Sequence, residues 1–115
     1  MGAIRYGREH LGGDYAEVRY EDLLQNTDEE AARLFGFLGV DAGPGVVREC
    51  TRIASFEASA GRERGTEDYT LGWRKHRKGV AGDWKNVFTE RDKVIFKEEA
   101  GDLLMMLCYE KDDKW

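Results

Sequence analysis

Arg77 and Lys78 stand side by side, Gly79 follows them, and Gly82 and Trp84 come shortly after in the run Arg77-Lys78-Gly79-Val80-Ala81-Gly82-Asp83-Trp84-Lys85. Adjacent cations suit an anion, because charge-assisted hydrogen bonds from Arg and Lys to phosphate are short and strong. A glycine directly behind them lets a backbone N–H approach the same anion closely. Gly82 permits a second sharp turn, and Trp84 can anchor the loop in a core. The chemistry that fits is phosphate binding, and a solvated basic loop is the other reading of the same residues. For proton transfer the chain offers only His10, in a short N-terminal helical segment, and His76, inside the basic loop. Both read as surface or loop histidines.

The elements that must position these residues are mostly helical. Residues 3–11 read as a short helix broken by Gly12-Gly13. Residues 15–20 (YAEVRY) alternate polar and apolar side chains and are expected to form a strand. Thr27 and Glu30 have the spacing of a capping box for a helix over about 28–38, with Ala31, Leu34, Phe35 and Leu38 on one face. Gly39 falls where a left-handed residue would end it. A second helix is expected over 46–53, after Pro44, and Ser55 can cap a short turn through Ser59. Periodicity vanishes from Gly61 to Gly82, which reads as one long loop. Thr89 and Asp92 then open a final helix with Phe96, Ala100, Leu103, Leu104 and Leu107 on one face and Met105 opposite. A single strand leaves both edges unpaired, and nothing else in the sequence supplies its partner.

Composition sets outer bounds. The 115 residues make one modest domain, and apolar residues (41%) balance charged ones (36%) as in a soluble globular chain. A formal net charge of −5 argues against nucleic acid and acidic membranes as partners. There is no apolar run long enough for a membrane span and no signal-like start, so a cytoplasmic protein is expected. Cys50 and Cys108 have no metal-ligand spacing; they are expected to be free and buried, with a disulfide between them as the other reading.

RKGVAGDWKNVFT, at 77–89, resembles the RKGxxGDWKxxFT signature of the cytosolic-type sulfotransferases that use 3′-phosphoadenosine-5′-phosphosulfate. VRYEDLL (18–24), LFGFLGV (34–40), the pair Ser55-Phe56 and the C-terminal GDLLMMLCYEKDDKW are similar to segments of that family in the same order. The resemblance covers the chain from about residue 14 to the end. It implies an α-rich fragment of an α/β, P-loop-like sulfotransferase fold: one strand, about four helices and a long nucleotide-facing loop, residues 1–115 forming a single partial domain.

By the same resemblance, Arg77, Lys78 and the Gly79 amide would hold the 3′-phosphate of the donor or of its product, 3′-phosphoadenosine 5′-phosphate. Tyr20 would contact the adenine, or stand as a half-buried core tyrosine at a strand end. Phe56 would pack against the adenine, or serve as a core phenylalanine. Ser55 reads as a helix cap. The family's phosphosulfate loop, of the form PKSGTTW, and its catalytic histidine have no counterpart in this chain. The expectation is therefore a portion that is inactive alone, acts with a complementary N-terminal half and binds nucleotide weakly or not at all by itself. A non-catalytic binding or assembly module built on the same fold is the alternative.

Association is expected as well. The family's dimer segment is matched at Lys85 and Thr89 but carries Glu90 and Val94 where Val and Glu would stand, which puts that dimer mode in doubt. The unpaired strand points instead to a homo-oligomer, simplest as a two-fold dimer joined along 15–20. A monomer whose first helix covers that segment is the other reading. Relatives also usually have Gly where this chain has Cys108.

Overall fold

The structure is a computed structural model that describes residues 2–61, 63–65, 78–112 and 114–115. It divides into two compact units, Gly13–Ala81 and Met1–Gly12 with Gly82–Trp115.

In the first unit, α2 (Tyr20–Gln25), α3 (Thr27–Leu38), α4 (Pro44–Ile53) and α5 (Phe56–Ala60) follow one another with short connections, α3 packing on α2 and α4. α2 starts where Glu21 and Asp22 place negative charge against the helix N-terminus. The expected strand over 15–20 does not form, and no strand is present among the described residues. Arg19 keeps an extended backbone (φ −86°, ψ 136°), but Tyr20 already belongs to α2. The Arg33 guanidinium of α3 donates to the Glu17 carbonyl at 2.8 Å, so a side chain takes up a group that a neighbouring strand would otherwise pair.

The capping box expected at Thr27 is absent too. Only Asn26 separates α2 from α3, so Thr27 sits inside the continuous path and its hydroxyl donates back to the Leu23 carbonyl at 2.8 Å. The Glu30 carboxylate accepts from Arg33 instead. Gly39 ends α3 as expected, at φ 69°, with its own N–H and that of Val40 returning to the Gly36 and Phe35 carbonyls. Pro44 occupies the first turn of α4, where its missing N–H costs nothing. A hydrogen bond of 2.6 Å from the Thr51 hydroxyl to Asp28 ties α4 to α3. The interior is thin: Ala31, Val47, Phe56 and Ala60 are the buried apolar residues among those described, Val47 the most enclosed at 2% exposure.

The second unit contains α1 (Gly2–Tyr6), a π-helical turn through Gly7–Leu11, a short 3-10 turn at Asp83–Asn86 and α6 (Glu90–Met106). Six α-helices are thus present among the described residues, where about four were expected. His10 is exposed and stacks on Tyr6 at 4.5 Å between ring centroids. Trp84, Phe88, Phe96 and the C-terminal Trp115 meet in edge and tilted contacts 5.5–6.3 Å apart, with the Lys97 ammonium 5.0 Å from the Trp115 ring. Trp84 is therefore a structural anchor.

Both cysteines are free, but they are exposed rather than buried. Cys108 terminates α6 in the left-handed region, at φ 58°. The Cys108 and Tyr109 N–H groups close back onto the Met105 and Leu104 carbonyls, the same pair of bonds that ends α3 at a glycine. Replacing Cys108 by Gly should relieve left-handed strain of about 1 kcal/mol and raise the melting temperature in a thermal denaturation series.

The capping box at Thr89 is complete. The Thr89 hydroxyl accepts from the Asp92 N–H at 3.2 Å, while the Asp92 carboxylate accepts from the Thr89 N–H at 2.8 Å and hydroxyl at 2.7 Å. Thr89→Ala should destabilise the chain by about 1 kcal/mol in denaturant unfolding. The Asp92 carboxyl is held below its usual value by the Thr89 hydroxyl first and the Thr89 backbone N–H second. A carboxyl depressed by folding contributes stability above its unfolded pKa and loses it as pH falls through the lower folded value. Acid below about pH 4 should therefore weaken α6, and Asp92→Asn should flatten that dependence in circular-dichroism melts taken across pH.

Candidate nucleotide-binding cleft

The site is built from the start of α5. The Ser55 Oγ accepts from the Ala58 N–H at 3.1 Å, so Ser55 is a helix cap as the sequence suggests. That cap sets Phe56 as the first residue of α5, and its ring turns inward with Ala60 one turn on. Gly61 then ends the helix in the left-handed region, at φ 67°.

Gly79 comes against the same ring. Its backbone is left-handed (φ 68°), and a Cβ built on it would stand 2.8 Å from Phe56 Cε2 and 2.9 Å from Cγ, inside van der Waals contact. Only glycine satisfies both the angle and the approach. One residue earlier, the Lys78 carbonyl accepts from the Gly65 N–H at 2.8 Å. The guanidinium of Arg64 lies 5.8 Å from the Phe56 ring centroid and 3.7 Å from the Glu57 carboxylate.

Phe56 and Gly79 line an open cleft of about 740 Å³ within this unit, together with Tyr20 from α2 and residues of α3 and α4. Three of the residues singled out in the sequence, Tyr20, Phe56 and Gly79, thus share one cavity. Lys78 adjoins it through Gly79 but is not among its lining residues, and Arg77 lies outside the described residues, as does His76. Sequence reasoning missed the arginines of the wall: Arg48, Arg52 and Arg64. The four-residue spacing of Arg48 and Arg52, which puts both on one face of α4, was the available signal.

Arg52 is engaged by Glu49, its N–H groups 2.8–2.9 Å from the two carboxylate oxygens. This pair is exposed, so it organises the rim rather than stabilising the fold. Thr51, the residue before Arg52 on α4, is bound to Asp28. A cleft with apolar walls, three aromatic rings (Tyr20, Phe35 and Phe56), cationic side chains and a glycine backbone suits an anionic ligand carrying an aromatic base. No group of three metal-ligating side chains occurs among the described residues, and no helix of theirs is long and apolar enough to cross a membrane.

Comparison with known proteins agrees with the signature loop. The sulfotransferase domain family matches residues 8–104. Mouse (Mus musculus) sulfotransferase 2A6 is 30% identical over 122 residues, which cover 90% of this chain and 42% of the relative. Mouse sulfotransferase 2A2 is 33% identical, covering 88% of this chain and 43% of the relative. Cytosolic sulfotransferase 1 of Danio rerio is 34% identical over 85 residues, 69% of this chain and 28% of the relative. The chain therefore spans less than half the length of these relatives. No solved structure matches it. With the family profile running from residue 8 to residue 104, through α2–α5 and most of α6, and the signature loop intact, this chain belongs to the sulfotransferase domain family.

Proposed function

We propose that this chain is the C-terminal, 3′-phosphate-binding portion of a sulfotransferase acting on hydroxyl or amine acceptors. The donor is 3′-phosphoadenosine-5′-phosphosulfate, which supplies an activated sulfuryl group and leaves as the 3′,5′-bisphosphate. The observation that carries the reading is the convergence of Tyr20, Phe56 and Gly79 on one cleft whose walls also hold three arginines. Lys78 brings a charge to the 3′-phosphate, and the Gly79 N–H approaches it where no side chain intervenes. Tyr20 offers a ring and a hydroxyl to the adenine.

In-line sulfuryl transfer also needs a base at the acceptor and cations around the leaving phosphate. A complementary N-terminal half supplies these. Large apolar side chains left open on this unit, Leu38 (66% exposed) and Ile53 (59%) among them, are consistent with a surface that another part of a domain covers.

Titration calorimetry should give adenosine 3′,5′-bisphosphate a higher affinity than adenosine 5′-phosphate, and Lys78→Ala should cost the bisphosphate about 10–100-fold, the worth of one charge-assisted bond. Equal affinities for the two nucleotides would remove the assignment. In an assay with labelled donor, the chain alone should give no product, and mixing it with a complementary N-terminal half should restore turnover. Product from the purified chain that disappears in Lys78→Ala would overturn the division of labour.

A further inference from the structure

We propose that the end of the cleft between α3 and α4 is a second anion subsite, built around Arg48 and suited to a small apolar monocarboxylate. It does not depend on the nucleotide reading, which concerns the end at Phe56 and Gly79. Arg48, Thr51 and Arg52 stand at i, i+3 and i+4, so one face of α4 presents all three to the cleft. A helix rises about 1.5 Å per residue, which sets Arg48 about 8 Å along the axis from Ile53, while Phe56 follows that later end.

The charges at the Arg48 end leave room for one negative group. Arg52 is committed to Glu49 at 2.8 Å, and Arg64 lies 3.7 Å from Glu57. The Arg48 guanidinium meets no carboxylate within ion-pair distance among the described residues. Its planar fork of N–H groups matches a carboxylate in a two-bond pair. Asp28 of α3 lines the same cleft and accepts the Thr51 hydroxyl at 2.6 Å, a bond that ties the two helices together there. The Asp28 carboxylate opposes a second negative charge on a ligand, which selects a carboxylate over a doubly charged phosphate. Ala31 and Phe35, three and seven residues after Asp28, share its face of α3 and line the cleft with apolar surface. A ligand with an apolar body and one carboxylate satisfies the guanidinium and covers that surface at once.

The probes are 2-naphthoate, 2-naphthol and 2-naphthyl phosphate, which share one apolar body and differ in charge, titrated into the full chain by fluorescence. 2-Naphthoate should bind the tightest of the three. Arg48→Gln, at an exposed position, should weaken 2-naphthoate about tenfold or more and leave 2-naphthol unchanged. Added salt should lower the 2-naphthoate affinity of the unsubstituted chain and spare that of Arg48→Gln. Asp28→Asn keeps an oxygen for the Thr51 hydroxyl and should raise 2-naphthyl phosphate to the affinity of 2-naphthoate. Adenosine 3′,5′-bisphosphate at saturation should leave 2-naphthoate bound. A 2-naphthoate affinity equal to that of 2-naphthol, or unchanged in Arg48→Gln, overturns the subsite. Displacement of 2-naphthoate by the bisphosphate overturns it too, since the anion then sits at the nucleotide end. Tighter binding of 2-naphthyl phosphate to the unsubstituted chain overturns the monocarboxylate assignment. Failure of the bisphosphate to bind at all removes the nucleotide reading and leaves this subsite standing.

Discussion

A phenyl ring and a peptide backbone cannot occupy the same volume, and the contact of Phe56 with Gly79 brings them to the limit of that rule. The cleft depends on this constraint. It requires glycine at 79, since any other residue would need both a left-handed backbone and space the ring has taken. It also ties the start of α5 to a residue more than twenty positions later, across a stretch of sequence with no periodicity of its own. Ser55, by capping α5, determines where the ring stands, and through the ring where the backbone beside Lys78 stands. A short helix of five residues, too small to be stable alone, thereby acquires a long-range role.

Elsewhere the order comes from local devices more than from burial. Few apolar side chains are enclosed among the described residues, yet the C-terminus of α3, the N-terminus of α4 and both ends of α5 and α6 are marked by a capping side chain, a left-handed residue or a proline. Such devices contribute about 1 kcal/mol each and specify where helices stop, but they do not replace a core. A unit built this way keeps its secondary structure close to what its sequence prefers and leaves apolar surface exposed.

Cys108 illustrates how the backbone pattern can outlast the residue that suits it. The two bonds closing α6 are the same as those closing α3, although α3 ends on Gly39 and α6 on a residue with a Cβ. The geometry is imposed by the last carbonyls of the helix, which need donors, and a strained residue is the cost of supplying them.

The sequence by itself determined what depends on near neighbours along the chain. The helix over α3, the Gly39 stop, and the Ser55 and Thr89 caps all rest on residues within about four positions of one another. The family was legible for a related reason, because the signature loop is one uninterrupted run. What tertiary structure decided is everything that needs a distant partner. The alternating pattern of 15–20 is a strand signal, but a strand exists only where another supplies the ladder, and the Glu17 carbonyl took Arg33 instead. Thr27 and Glu30 have capping-box spacing, but α2 runs so directly into α3 that the Leu23 carbonyl and Arg33 took their side chains first. The pairing of Phe56 with Gly79 and the meeting of Arg64 with Arg48 and Arg52 on one cleft lay beyond any local pattern, since contacts between residues so far apart are set by how helices pack and not by the order in which residues occur.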